Sequence, residues 1–369
     1  METQVLLEAA RRGSLGWLRH RPERPFFGYL CSYWPEELTL SLGWEPLRLL
    51  PPGSPRTSSR LPSYTCAVGR GCLALGEAGE FSDLAGVGFA HTCDTMRCLA
   101  GIWRSGLDRE KTFVVVPPAN LLDPGAQAYF AAELASLWRN LARLADREPD
   151  PEALRRAIGL MNRIRSLAGK LDAQRARLPS DLAAAVLRAG QLMPRAAYAE
   201  ALEQVIAKLD DAAPEDAPEQ PGRAGKLRVL LSGAVLETEA LHATLEELGA
   251  RVVADDTCTG FRHYAGLVDE DGEPLAALAR RYLSRPPCPC RHQGLQARLA
   301  HLLGLAGSRG ARGAVLAVRK YCEPHAWDAV ALREGLRAEG IPTLVLELDS
   351  VVPGEQERTR LQAFLESLD

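Results

Sequence analysis

No run of about 18 or more apolar residues occurs in this sequence, so it offers no candidate for a membrane-spanning helix. Its start, Met1-Glu-Thr-Gln-Val, lacks the charged-then-apolar pattern of a secretory leader, and the expectation is a cytoplasmic protein. Charge of one sign is missing too. The 44 Lys and Arg stand against 47 Asp and Glu, mixed along the chain, which leaves no broad basic field for nucleic acid. No GxxxxGK loop is present to cradle the phosphates of ATP, and histidine is scarce, with 7 in all. Nor is there a close CxxC pair of pairs of the zinc-ribbon kind. The 9 cysteines stand far apart, so any site they share must be assembled by the fold. In a reducing compartment they point to metal or redox use rather than disulfides.

What is present reads as two α/β regions around a helical one, and 369 residues suggest two or three domains. The expected division is an N-terminal α/β domain over 1–125, a helical segment over 126–210, a Pro- and acid-rich linker over 211–225 and a second α/β domain over 226–369. Residues 3–20 have helical spacing with a break at Gly13. Short apolar runs near residues 26, 84, 113, 228, 251, 314 and 343 read as buried strands, most of them followed by a helix signal. Cys31, Cys93, Cys258 and Cys322 each fall at the C-terminal end of such a strand. Ligands of open α/β sheets bind outside those ends, and packing alone gives no reason to put thiols there.

The stretch His91-Thr-Cys-Asp-Thr-Met-Arg-Cys98 is the centre of this pattern. A cysteine at a strand-to-helix turn meets unpaired N–H groups and a dipole that favour a thiolate or an anionic metal-sulfur group, which makes Cys93 the first candidate ligand. The bland reading is a small buried thiol under a turn. Cys66 is placed at another helix start, with a helix from Ala67 to Leu75. Cys72 and Cys98, a turn or two further along their helices, are taken as inert. Cys288-Pro-Cys290 is a proline-split pair suited to metal or redox work. His325 is the one histidine expected near the thiols, and a water-satisfied position at the helix start competes with that role. Ser32, Ser232 and Arg262, near strand ends, are candidate donors to a substrate. Helix caps and a surface ion pair are their ordinary alternatives.

With these residues in view, the chain resembles the cysteine-rich, D-component-like subunits of the 2-hydroxyacyl-CoA dehydratase and benzoyl-CoA reductase family. The resemblance rests on Gly28-Tyr-Leu-Cys-Ser-Tyr-Trp-Pro-Glu-Glu-Leu, Leu61-Pro-Ser-Tyr-Thr-Cys66, Thr92-Cys-Asp94, Asp255-Asp-Thr-Cys-Thr-Gly-Phe-Arg262, Lys320-Tyr-Cys-Glu-Pro-His325, Ile341-Pro-Thr-Leu-Val-Leu-Glu-Leu-Asp349 and Arg358-Thr-Arg-Leu-Gln-Ala-Phe-Leu-Glu366, in that order. It implies two Rossmann-like or flavodoxin-like α/β domains and a [4Fe-4S] cluster held by Cys66, Cys93 and Cys322. It also implies an acyl-CoA thioester as substrate, reduced to a ketyl radical, a homologous second subunit and an ATP-driven activator protein with its own cluster. The activity would be that of a lyase or an oxidoreductase. Cys288 and Cys290 exceed what one cubane needs. They leave open a double-cubane reductase of small molecules, and an electron-transfer subunit without catalysis is the third reading.

Overall fold

The computed structural model describes residues 2–20, 23–53, 58–211, 226–291 and 294–368. Its strands form two separate four-stranded parallel sheets, so the chain is an α/β protein. The first holds β1 (Phe26–Tyr29), β2 (Glu45–Arg48), β3 (Val87–Ala90) and β4 (Thr112–Val115) in the order β2-β1-β3-β4. The second holds β5 (Leu227–Gly233), β6 (Ala250–Thr257), β7 (Gly313–Arg319) and β8 (Thr343–Leu348) in the order β6-β5-β7-β8. The two orders are the same. Each puts its topological switch between the first and third strands, where the outgoing chains part and leave a crevice.

The strands read as continuous apolar runs because both faces are covered, as parallel sheets require. Helices α1 (Glu2–His20), α3 (Ala67–Glu77) and α4 (Asp94–Gly106) share one core with α7 (Ser180–Ala189) and α8 (Arg195–Asp211) on one side of the first sheet. The expected break in α1 is a kink at Gly13, whose φ of 63° is open to glycine at no steric cost. The other face is covered by α2 (Glu36–Ser41), α5 (Ala126–Leu144) and α10 (Pro274–Leu283), the last from the second half of the chain, while α6 (Pro151–Gln174) starts on this face with Leu154 and Ile158 and runs on into the first core from Met161 to Leu171. Tyr282 of α10 is buried beside Phe130 and donates its hydroxyl to the carbonyl of Trp34 at 2.8 Å. The segment from Phe261 to Arg291 therefore leaves the second sheet and closes over the first. Helices α9 (Ala240–Glu247), α11 (Leu295–Arg309), α12 (Glu323–Ala338) and α13 (Glu355–Glu366) pack on the two faces of the second sheet.

Residues 126–211 are helical throughout, apart from short turns, and nearly all of the expected linker, residues 212–225, lies outside the described residues. Buried polar contacts fix how the halves meet. His263 bonds Glu36 at 2.9 Å, Arg175 pairs with Asp255, and Arg48 donates to the carbonyl of Cys258 at 2.7 Å. Among the described residues, no helix is long and apolar enough to cross a membrane.

Candidate functional site

The strand-end pattern holds in three dimensions. Cys31 lies two residues past β1, Cys258 directly follows β6, and Cys93 and Cys322 lie three residues past β3 and β7. Cys66, Cys93 and Cys322 are in addition the N-cap residues of α3, α4 and α12. A cap has backbone donors with no partner in its own helix, and a thiolate can accept from them. None of the three makes an ordinary side-chain cap.

Instead the thiols meet one another across the two halves. The Cys66 thiol takes a hydrogen bond from Cys322, and this contact, joined by the backbone N–H groups of Gly69 and Val68, pulls Cys66 down to about 7 against the opposing effect of burial. Cys93 takes one from Cys290 and is lowered in the same way, with help from the N–H of Met96. Cys288 is lowered to about 5, chiefly by Cys290 and then by the guanidinium of Arg262, again against burial. Cys322 and Cys290, as the donors, are raised. Cys66 and Cys93 feel each other's charge, as do Cys31 and Cys288, Cys31 and Cys258, and Cys258 and Cys322. Seven thiols thus form one neighbourhood: Cys31, Cys66, Cys93, Cys258, Cys288, Cys290 and Cys322. Cys72 lies deeper, with its thiol on the carbonyl of Leu49, and Cys98 is exposed.

His325 is buried in this neighbourhood, its Nδ1 3.3 Å from the Cys322 sulfur, so the water-satisfied alternative does not describe it. Burial holds its ring well below the ordinary histidine range, and it is neutral at pH 7. Arg262 is also there: one Nη2 contact reaches the Cys258 sulfur at 3.0 Å, another the carbonyl of Gly233, and Nη1 pairs with Asp256. It is no surface ion pair. Ser232 lies inside the second sheet and gives its hydroxyl to Asp256 at 2.8 Å. Ser32 is buried beside Cys31, and its carbonyl accepts from Arg285.

Beside Cys66 opens a cavity of about 560 Å³, lined by Pro51, Ala67 and Gly71 from the first half and by Glu237, Arg319 and Val351 from the second. Its floor is the buried Arg319–Glu237 pair, and burial raises the Glu237 carboxyl. The cavity lies where the carboxyl ends of both sheets face each other, which is where such folds take ligands. Among the described residues, no group of three or more His, Cys, Asp or Glu is gathered closely enough for a single metal ion.

The family model described as 2-hydroxyglutaryl-CoA dehydratase, D-component, matches residues 31–368. The chain belongs to this family. Its relatives include the lactoyl-CoA dehydratase subunit beta of Anaerotignum propionicum, 26% identical over 350 residues that cover 92% of this chain and 91% of the relative. The (R)-phenyllactyl-CoA dehydratase beta subunit of Clostridium sporogenes is 23% identical over 92% and 91%. A benzoyl-CoA reductase subunit of Thauera aromatica is 25% identical over 72% and 70%. These relatives are enzyme subunits of both expected classes, lyase and oxidoreductase, and the name beta implies a partner subunit for those that carry it. Sequence reasoning passed over Arg48, Arg285 and Arg291, which bind the carbonyls beside the cysteines. Only the closeness of Arg291 to Cys290 signalled one of them.

Proposed function

We propose that this chain is the iron-sulfur subunit of a radical-type 2-hydroxyacyl-CoA dehydratase or a related acyl-CoA reductase, with Cys66, Cys93 and Cys322 as the ligands of a [4Fe-4S] cluster. The observation that carries this reading is that these three cysteines, 27 and 229 positions apart in succession (93 − 66 and 322 − 93), all cap helices at one place between the halves. The donor set fits the group: sulfur ligands in a pocket whose helix dipoles and buried guanidiniums favour net negative charge. When bound, the cluster would accept an electron from an ATP-driven activator protein and pass it to a thioester carbonyl.

The chain's own residues have definable parts in this. The three helix starts offer their thiolates unpaired backbone N–H groups. The cavity beside Cys66 takes the thioester end of an acyl-CoA and keeps water away from it. Ser32, buried beside Cys31, is the donor to a substrate; Arg262 and Ser232 act through Cys258 and Asp256, to which they are already bonded. The enzyme is completed in the cytoplasm by a second, homologous subunit.

A second reading is favoured by one contact. Cys290 bridges Cys93 and Cys288, so the extra pair faces the same thiols and suits a double-cubane cluster of a small-molecule reductase. The test is the iron and sulfide content of anaerobically purified protein. Replacing Cys66, Cys93 or Cys322 by serine should abolish iron; full iron in all three variants would reject the assignment. Loss of about half the iron on replacing both Cys288 and Cys290 selects the double cubane. A cluster spectrum indifferent to every 2-hydroxyacyl-CoA and aromatic acyl-CoA would leave an electron-transfer subunit.

A further inference from the structure

The loops that carry the thiols have their backbone carbonyls turned to arginines. Arg48 donates to Leu30 O at 3.4 Å and Cys258 O at 2.7 Å, and Arg285 donates to Ser32 O, so both neighbours of Cys31 are held. Arg291 donates to His91 O at 2.5 Å and Thr92 O at 3.3 Å, just ahead of Cys93, and to Cys290 O at 2.6 Å. A carbonyl oxygen aimed at a thiolate repels it, and a guanidinium behind the loop both removes the oxygen and adds a favourable charge.

No carboxylate among the described residues pairs with these cations, although Arg285 lies over the rings of Tyr33 and Tyr282. Arg262 pairs with Asp256 and Arg298 with Asp328. Arg48, Arg285 and Arg291, however, make no ion pair among the described residues, and Arg48 and Arg285 are only 1% and 6% exposed. Carbonyl hydrogen bonds, with the Gln191 side chain for Arg48, take up most of their N–H groups, leave Arg285 Nε and Arg291 Nε without a partner, and leave the charge. Burying a charge without a counter-charge is expensive, so a fold that buries two guanidiniums and half-buries a third around one place supplies the anion there. The thiols are the groups they surround.

We propose that Arg48, Arg285 and Arg291 are positioning residues that orient the cysteine loops through their carbonyls and offset the negative charge of the thiolate-bound group, raising its reduction potential. The proposal rests on the reading that the thiols hold an iron-sulfur cluster. Removing a nearby positive charge favours the oxidised form, which carries one electron less, so the potential falls when the charge is lost and stays when only the side-chain shape changes.

Arg291 is the half-buried member and the one to change. The full chain, purified anaerobically as the wild type, Arg291→Gln and Arg291→Lys, is assayed for iron and sulfide and then titrated electrochemically with the reduced cluster followed by electron paramagnetic resonance. With iron retained, Arg291→Gln should shift the oxidised-to-reduced ratio about tenfold toward oxidised, a fall of about 59 mV for a one-electron couple. Arg291→Lys should stay within about threefold of the wild type, because it keeps the charge and loses the planar fork. Loss of iron in Arg291→Gln but not in Arg291→Lys also supports the charge role. An unchanged potential in Arg291→Gln, an equal shift in both variants, or loss of iron from both overturns it. A wild type without iron and sulfide overturns the reading of the thiols, and the proposal with it.

Discussion

Glu36 ties β1 and α8 of the first half to the segment that arrives from the second through a single carboxylate. Its Oε2 faces Arg195 Nε at 2.7 Å and Nη2 at 2.6 Å, and its Oε1 faces the Tyr29 hydroxyl and His263 Nε2, both at 2.9 Å. All four groups are buried. Burial pushes the carboxyl up, but Arg195 and the bond from His263 outweigh it and hold Glu36 well below the usual carboxylate range. Glu36→Gln keeps the shape and puts an amide N–H₂ against these donors. Breaking a buried pair by removing one partner costs about 3–5 kcal/mol. At about 2–4 °C per kcal/mol for a domain of 150–250 residues, the melting temperature should fall by roughly 6–20 °C at pH 7. The sign of the pH dependence follows from the depressed value: the stabilisation is full above the unfolded carboxyl's range, near 4.3, and is lost as pH falls below it. Wild type and variant should therefore differ most at pH 7 and converge in acid. Thermal and urea unfolding at several pH values measures this. A gap under about 1 kcal/mol, or one that does not narrow in acid, refutes the account of Glu36 as a buried anion bridging the halves.

Other changes probe other parts. Ser232→Ala removes the hydroxyl that binds Asp256 and should cost about 1–3 kcal/mol in urea unfolding while leaving the iron content of purified protein unchanged; loss of iron without loss of stability contradicts the structural role. Gly88→Ala places a methyl 2.4 Å from the ring of Trp34 in the first sheet's core and should destabilise by about 1–3 kcal/mol; a neutral result means that Trp34 moves aside freely. Tyr321, next to Cys322, has φ of 64°, a left-handed conformation costly for a tyrosine. Tyr321→Asn, which tolerates it, should be neutral or stabilising, and Tyr321→Val should cost about 1–3 kcal/mol; the reverse order in thermal melts refutes the strain.

The fold class was legible because parallel sheets advertise themselves. Runs such as Val229, Leu230 and Leu231 are apolar without alternation, and the turn residues that follow mark the carboxyl ends. The helix start at Cys66 was legible through Ala67–Leu75 despite its glycines, two of which, Gly69 and Gly71, lie against Thr95 and Pro51 and need the missing side chain. The role of Glu36 was not. Pro35-Glu36 reads as a helix start with an acid for the dipole, and that local reading is consistent with α2, yet its partners Arg195 and His263 are 159 and 227 residues away. No pattern within a helix or strand encodes such pairing. The surface reading of Arg262 failed for the same reason: exposure is decided by what packs around a residue, here Gly233, Asp256 and Cys258 at the carboxyl ends of β5 and β6.

Neither half contains the thiol site by itself. Cys66 and Cys93 belong to the first sheet's helices, Cys322 to the second's, and Cys288 and Cys290 arrive on the segment that crosses back over the first. The contacts Cys66–Cys322 and Cys93–Cys290 are therefore contacts between halves. Apolar packing between the halves tolerates small slips, whereas hydrogen-bonded charge pairs are directional and fix distance and angle together. The buried joints Glu36–His263, Asp255–Arg175 and Arg48 on the Cys258 carbonyl are hydrogen bonds to a charged group and share that directionality. Such joints are poor bargains for stability alone, since well-packed apolar residues of similar volume often do as well or better. Their presence is explained if the relative placement of the two strand-end surfaces, and with it the spacing of the thiols, is what the interface has to preserve.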